Sequence, residues 1–154
     1  MASRSNAILA SCAVLLVVAL AVVSRADRAG AETRKGKIAI TVTGLANDDG
    51  QVILLLYDDK KGFPTKTSKA WKRRVVGIEK KKAHGSFASV PYGTYAVTAI
   101  HDEDANGKLL TNLIGMPKEG VGVSGNASGM PKWKKAKFVL DGQVEKLKIR
   151  IRYL

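Results

Sequence analysis

Apolar and polar residues alternate over short stretches of this chain, in the pattern that is typical of half-buried β-strands. In the first clear stretch Ile38, Ile40 and Val42 share one face, with polar or small residues between them. Residues 51–57 follow as a continuous apolar run of strand length, which indicates a strand buried on both faces. The turn-forming residues 47–50 lie between the two stretches, so we expect a hairpin.

The alternating pattern continues to the end of the chain and predicts five more strands. These strands are predicted over residues 73–80, 86–90, 91–101, 136–140 and 144–153. Turn-forming residues at 80–85 and at 141–142 predict two further hairpins. Helical signals are limited to one or two turns between Thr65 and Trp71.

Seven short strands with regular turns and almost no helical periodicity are typical of an all-β protein. We therefore predict a seven-stranded antiparallel β-sandwich, immunoglobulin-like or transthyretin-like, in which residues 32–154 form a single domain. One long functional loop, residues 101–126, separates the fifth predicted strand from the sixth.

The first 31 residues have the composition of a signal peptide. Arg4 precedes an apolar run at residues 7–23, and the small residues 29–31 fit a signal peptidase cut. A cut after Ala26 and an uncleaved membrane anchor stay open, because the run is near the lower length limit for a membrane span. We expect export, to the periplasm or outside the cell. Cleavage would remove Cys12, the only cysteine, and leave a mature chain without thiols.

The chain is strongly basic, with a formal net charge of +13. Residues 1–31 hold three arginines and one aspartate, which leaves +11 on residues 32–154. This charge favours anionic partners such as acidic envelope polymers or lipids, although a basic surface can also serve solubility alone. We do not expect nucleic acid as the partner.

Three basic clusters, at residues 66–74, 80–82 and 132–137, hold many of these charges. Trp71 lies in the first cluster and Trp133 in the third. An aromatic ring beside cations could contact a sugar or a phosphate. The same ring could equally cover an edge of the sandwich, and the sequence leaves both open.

Oxygen-bearing side chains stand at alternate positions where the long loop begins. Asp102, Asp104 and Asn106 occupy positions one, three and five of a calcium-loop pattern, and Gly107 follows at position six. The pattern is incomplete, because Leu113 stands where an EF-hand has a bidentate glutamate. Without an ion, the same side chains could cap backbone N–H groups in a tight loop. A bound calcium ion would need further oxygens, from backbone carbonyls, Glu103, Thr111, Asn112 or Glu119.

His101 stands at the junction of the fifth strand and the loop. A zinc site needs three or four ligands, and the chain offers only one other histidine, His84, in a lysine-rich turn. We expect His101 to hold the loop by hydrogen bonding. Ser124 lacks the strand–turn–helix setting of a nucleophile elbow. We therefore expect a non-enzymatic protein with no required cofactor, and keep a hydrolase centred on His101 and Asp102 as the last alternative.

Short segments in the long loop and before it form a recognisable signature. They are His101-Asp102, Asn106-Gly-Lys-Leu109, Thr111-Asn112, Gly115-Met-Pro-Lys-Glu119, Gly122-Val-Ser-Gly-Asn126, Gly50-Gln-Val52, Gly62-Phe-Pro64 and Pro91-Tyr-Gly-Thr-Tyr95. Together these segments resemble a family of exported bacterial proteins known only as a domain of unknown function. The resemblance covers residues 37–153, and it implies an exported β-sandwich without bringing any activity. Leu110 departs from the family pattern, which usually has an acidic residue there, so one candidate metal ligand is missing, and Val121, Val123 and Gly125 replace larger or polar residues.

Together these observations predict an exported binding or structural module whose long loop forms a recognition surface or is stabilised by calcium. The alternative function is binding of anionic envelope polymers or lipids through a basic face. Asp102, Asp104 and Asn106 are the candidate metal ligands. The other candidate binding residues of the loop are His101, Lys108, Thr111, Asn112, Lys118, Glu119 and Asn126.

Overall fold

The computed structural model describes residues 34–107, 119–126 and 129–153. Within these residues the chain forms eight strands and three short helical segments. The strands are β1 (Lys35–Thr43), β2 (Gln51–Tyr57), β3 (Lys72–Val76), β4 (Ala83–Pro91), β5 (Gly93–Asp102), β6 (Gly120–Val123), β7 (Phe138–Leu140) and β8 (Val144–Arg150). The helical segments are two 3-10 turns, Thr67–Lys69 and Ser124–Asn126, and the short helix α1, Trp133–Ala136.

The predicted signal peptide, residues 1–31, lies outside the described residues. In the part of the chain that is described, no helix is long and apolar enough to cross a membrane. The described residues belong to one compact unit that begins at Arg34.

The strands form two sheets with a common apolar core. One sheet has the order β4-β1-β8, and the other has the order β3-β2-β5-β6, with β7 also paired to β5. Alternate residues of β1 and β2 point into the core, as the sequence pattern predicts, and residues of β4, β5 and β8 join them. The fold is therefore all-β and sandwich-like. The side chains that β1 and β2 contribute are Ile38, Ile40, Val42, Val52, Leu54 and Leu56.

β2 and β5 are buried on both faces, so the larger sheet has a second apolar layer outside the main core. Each fully buried leucine, isoleucine or phenylalanine side chain contributes about 1.5–3 kcal/mol relative to an exposed one. This second layer therefore adds substantially to the stability of the sheet. On β2 it consists of Ile53, Leu55 and Tyr57, which pack with Ile100 against Phe63, Ala70 and Trp133.

The three predicted hairpins are wrong. β1 does not pair with β2, since β1 lies between β4 and β8 while β2 lies between β3 and β5. A tight turn does form near residue 80, with a bridge between Glu79 and Lys82, but the strands on either side enter different sheets. The same is true of β7 and β8. Turn residues reverse the direction of the chain, but they do not determine strand pairing. Because both faces of β2 are buried, it lies in the interior of the larger sheet, between β3 and β5.

Two further features differ from the predicted seven-stranded antiparallel sandwich. β1 and β8 run parallel, with Val42 opposite Ile149. An eighth strand, β6, lies inside the predicted long loop. The sequence of β6 alternates glycine with valine. Because glycine is depleted in strands, this composition did not predict a strand. The immunoglobulin-like or transthyretin-like type stays a prediction.

Glycine permits a close approach where β6 of one sheet meets the end of β8 in the other. The backbones of Val121 and Arg152 exchange two hydrogen bonds, of 2.9 and 3.0 Å. A Cβ atom on Gly122 would lie only 2.5 Å from the carbonyl oxygen of Arg150. Any side chain at this position would therefore push the two strands apart.

We expect Gly122→Ala to lower the free energy of unfolding by about 1–3 kcal/mol, because an added methyl group in a tight contact forces the backbone to shift. Gly77→Ala is the matched control, since nothing lies within 4 Å of a Cβ atom there. Urea unfolding of both variants measures the difference. Equal unfolding midpoints for the two variants would contradict the close approach of β6 and β8.

Tyr57 is the bulkiest of the fully buried side chains and lies in the outer apolar layer. Its hydroxyl donates to the carbonyl oxygens of Pro64 and Lys66, at 3.1 and 3.3 Å. Burial raises the pKa of Tyr57 to about 12. The folded chain therefore keeps the phenol proton over a pH range in which the unfolded chain loses it.

This difference predicts a loss of stability at alkaline pH. The contribution of Tyr57 is complete below about pH 10, declines as the pH rises towards 12, and totals about 2–3 kcal/mol. Urea unfolding across this range measures the decline. Tyr57→Phe has no phenol proton and should lose this part of the pH dependence. If the variant and the wild-type protein show the same dependence, the phenol proton is not responsible.

Candidate functional site

The candidate site lies where β5 ends and the long loop begins. The register places His101 opposite Val52 and Asp102 opposite Gln51 on β2. Successive side chains of a strand point to opposite faces of the sheet. His101 therefore lies on the face of the main core, and Asp102 lies on the other face. Both residues are fully buried.

His101 joins the ends of three chain segments through hydrogen bonds. Its Nε2 atom lies 2.9 Å from the carbonyl oxygen of Asp49, which can only accept, so Nε2 carries the proton. Nδ1 accepts from the hydroxyl of Tyr153 at 2.5 Å. That hydroxyl in turn accepts from the backbone N–H of Ala46 at 2.8 Å. With this tautomer both ring nitrogens are in hydrogen bonds, which fixes the orientation of the ring.

A carboxylate and a phenol complete the surroundings of His101. The Glu103 carboxylate lies 3.5 Å from Nδ1 and would form an ion pair with a protonated ring. Burial raises the pKa of Tyr153. The hydrogen bond from the backbone N–H of Ala46 lowers it by less, and the charge of Glu103 adds to the rise. The phenol therefore keeps its proton, which it donates to His101.

Asp102 closes the tight turn that follows β5. Its Oδ1 accepts from the backbone N–H of Asn106 at 3.1 Å, and its Oδ2 accepts from the backbone N–H of Gly107 at 2.9 Å. Oδ2 also accepts from Nε2 of Gln51, at 2.7 Å. A buried carboxylate needs such donors, because desolvation of an unpaired charge is costly. Gly107 has a φ of 75°, which the sharp turn requires.

Asp104 and Asn106 are joined to each other in the same turn. The Asp104 carboxylate accepts from the backbone N–H of Asn106 at 3.2 Å and from Nδ2 of Asn106 at 2.6 Å. The first of these bonds is the main reason why the pKa of Asp104 lies below its ordinary value. Asp104 therefore stays ionised to lower pH than a free aspartate. The amide nitrogen of Asn106, rather than its oxygen, is directed at Asp104.

Three carboxylates from the two ends of the loop meet at this point. Carboxylate oxygens of Asp102, Asp104 and Glu119 all lie within 4.8 Å of one another. Glu119 directly precedes β6. In the antiparallel pair of β5 and β6, His101 lies opposite Gly120, so Asp102 and Glu119 face each other one position further along. Calcium holds its oxygens at about 2.3–2.6 Å, so two ligands of one ion lie at most about 5 Å apart. The three carboxylates are therefore close enough to share one ion.

The remaining loop residues named from the sequence have different positions. Asn126 hydrogen-bonds to the backbone of β8, with Nδ2 donating to Lys148 O at 2.7 Å and Oδ1 accepting from Arg150 N at 2.8 Å. Ser124 is buried, and its hydroxyl donates to the carbonyl oxygen of Ala136 at 2.7 Å. These two residues connect segments of the fold. Lys108, Thr111, Asn112 and Lys118 lie outside the described residues.

The two tryptophans differ in their surroundings. Trp133 is half-buried and meets Phe63 edge-on, with ring centroids 5.7 Å apart, as part of the outer apolar layer. Trp71 is 39% exposed and packs beside Tyr95, with the Lys72 ammonium 4.6 Å from its ring centroid. Of the two rings, Trp71 is therefore the one that presents a cation and an aromatic surface to solvent.

Sequence reasoning missed Gln51, Arg73 and Tyr153 as partners of the loop. Arg73 reaches it from β3, where Nη2 donates to the carbonyl oxygen of Gly107 at 3.2 Å. These contacts join residues that are 34 to 52 positions apart in the chain. No local pattern signals them, because they follow from the strand register.

We expect Asp102→Asn to lower the free energy of unfolding by about 1.5–3 kcal/mol, because an amide group cannot accept from all three donors that bind the carboxylate. Asp141→Asn, in the exposed turn before β8, is the matched control and should change little. Urea unfolding in a chelator, so that no ion contributes, measures the effect. Similar losses for both variants would contradict the role of Asp102 in closing the turn.

The comparisons with known proteins give a family but no described relative. Neither a curated protein nor a solved structure gave a significant match to the chain. A family model described as "Uncharacterized protein conserved in bacteria (DUF2141)" matches residues 40–148, which are 109 of the 154 residues. The match extends from β1 through the candidate site into β8. The chain therefore belongs to the bacterial family DUF2141.

Proposed function

We propose that the protein is an exported, non-enzymatic binding module in which a calcium ion joins the two ends of the loop between β5 and β6. The observation that carries the proposal is the meeting of Asp102, Asp104 and Glu119 within 4.8 Å. These residues come from both sides of a segment of more than a dozen residues. An ion bound to all three would close that loop at its base.

The chemistry of the three side chains favours a hard cation. Calcium takes six to eight oxygen ligands in flexible geometry, and waters or backbone carbonyls complete sets that begin with carboxylates. Neither a histidine ring nitrogen nor a thiol belongs to the cluster, so the set does not favour zinc. Asp104 is ionised at neutral pH as any ordinary aspartate is, and its lowered pKa extends the ionised state to more acidic solutions. Calcium would also offset the repulsion between facing carboxylates.

Calcium binding of this kind suits an exported protein. Extracellular calcium modules work at about 10⁻⁴–10⁻³ M, and a partly exposed three-carboxylate set is consistent with that range. Asn106 supports the site in this proposal by holding Asp104 in place. The alternative is that the three aspartate and asparagine side chains cap the turn without an ion, as their hydrogen bonds within the turn permit.

The geometry around His101 supports a binding role over a catalytic one. His101 and Asp102 lie on opposite faces of β5, so they do not form a dyad. Both ring nitrogens of His101 are occupied by Asp49 and Tyr153 within a buried site. A general base needs a free nitrogen within reach of the substrate.

A second candidate function is binding of anionic envelope polymers or lipids. The observation that favours it is the exposed row of cations on β8, where Lys146, Lys148 and Arg150 occupy alternate positions. Alternate residues of a strand share one face and lie about 7 Å apart. The row therefore presents regularly spaced positive charge to solvent.

Calcium should stabilise the folded protein. An ion that binds only the folded state adds RT ln(1+[L]/Kd), which is about 2.7 kcal/mol at one hundred times Kd. Thermal and urea unfolding of the full mature chain, with calcium and with a chelator, measure the shift. Glu119→Gln should lose most of this shift, because it removes one of the three carboxylates.

Glu145→Gln is the matched control, since it makes the same change on β8 and should keep the full calcium shift. Magnesium should stabilise less, because it demands tighter octahedral geometry and gives up its waters reluctantly. If millimolar calcium leaves the wild-type unfolding curve unchanged, the carboxylates act as caps of the turn and the calcium proposal is wrong.

A further inference from the structure

A shallow groove of about 500 Å³ crosses the outer face of the three-stranded sheet. Its floor is formed by the small residues Ala39 and Thr41 of the central strand β1. The pairing of β1 with β4 and β8 places His84 and Ser86 on one side of this floor and Lys146 on the other. The groove therefore follows the strand direction between two rows of polar side chains.

The groove is lined by positive charge without any carboxylate. Lys37, Arg74 and Lys146 contribute to its walls, and no aspartate or glutamate is among the described residues that line it. Among the described residues, none of these three cations forms an ion pair. Arg74 is held in place by donating from Nη1 to the carbonyl oxygen of Ser86 at 3.0 Å. The cations are thus available to an external anion.

Neutral hydrogen-bonding groups lie between these charges. Thr41 and His84 face each other across the β1–β4 pair, with the Thr41 hydroxyl 3.3 Å from Nδ1 of His84. Ser86 adds a second hydroxyl at the same wall. A ligand that fits this lining would carry both anionic groups and hydroxyls.

We propose that this groove binds one chain of an acidic glycan, a linear polysaccharide bearing carboxylate or sulfate groups. The inference rests on the second candidate function and gives it a place and a ligand class. The cations of the groove pair with the anionic groups, and the floor residues hydrogen-bond to sugar hydroxyls. Lys148 and Arg150 continue the cationic row along β8 and extend the contact beyond the groove.

The lining distinguishes a glycan from the other polyanions. Proteins that bind single-stranded nucleic acid stack bases on aromatic side chains, and in the described part of the chain no phenylalanine, tyrosine or tryptophan lines this groove. A lipid bilayer is flat and favours tryptophan and tyrosine anchors at its interface, and the described residues that line the groove include neither. A single polymer chain can follow a groove, and its repeating anionic groups can pair with successive cations of β8.

The test measures binding of the full mature chain to heparin, as a sulfated glycan, and to polygalacturonate, as a carboxylated one. Lys37→Gln combined with Lys146→Gln should weaken binding about tenfold and reduce the dependence on salt concentration. Thr41→Glu, which places a carboxylate on the floor, should weaken it as well. Urea unfolding of each variant verifies that the fold is retained.

Lys134→Gln combined with Lys135→Gln is the matched control, because it removes the same charge from exposed positions of α1. This pair should weaken binding by no more than about twofold to threefold, through net charge alone. Equal weakening by the two pairs would overturn the groove while leaving the second candidate function in place. Failure of the wild-type chain to bind either glycan would overturn the glycan-binding groove, and failure to bind phosphatidylglycerol vesicles as well would overturn the second candidate function.

Further probes separate the ligand classes. Neutral dextran should not compete, and phosphatidylglycerol vesicles and single-stranded oligothymidylate should bind more weakly than the acidic glycans. Stronger binding to vesicles or to the oligonucleotide would overturn the glycan assignment. Glycan binding should persist in a chelator and in Glu119→Gln, since the groove is formed by other strands than the calcium site. A loss of glycan binding under either condition would contradict a groove that is independent of the calcium site.

Discussion

The structure depends on removing both faces of β2 and β5 from water. Their inner faces pack against the smaller sheet, and their outer faces need a second cover, which Phe63, Ala70 and Trp133 provide. This requirement places β2 and β5 side by side in the middle of the larger sheet. Within the larger sheet β3 pairs with β2, while β6 and β7 pair with β5. The end of β5, which carries the candidate site, is thereby fixed in a rigid setting.

The polar residues at the end of β5 are buried, so each of them needs hydrogen-bond partners within the protein. His101 and Asp102 are fully buried although both carry groups that water would otherwise solvate. Each is satisfied by partners from distant segments, namely Asp49 and Tyr153 for the ring and Gln51 for the carboxylate. The loop therefore leaves the sheet from a fixed point. A binding site on such a base loses less conformational entropy when its ligand binds.

Charge is divided between two parts of this basic protein. The base of the loop holds three carboxylates, whereas Lys37, Arg74 and Lys146 are the charged groups that the described residues contribute to the groove on the smaller sheet. Because the carboxylates and the cations lie in different parts of the protein, the two groups do not neutralise each other through ion pairs. The proposed calcium ion and the proposed acidic glycan would therefore bind to different strands of the same fold.

The sequence alone determined the all-β class, most of the strands, the double burial of β2 and the cluster of oxygen-bearing side chains that follows β5. These features depend on local alternation and on short motifs, which single stretches such as residues 51–57 or 102–107 display completely. Only the tertiary structure decided the pairing of β1 with β8, the strand β6 and the approach of Glu119 to Asp102. Those depend on which strands share a sheet and in which register, because residues far apart in the chain become neighbours only once both faces of the central strands are covered.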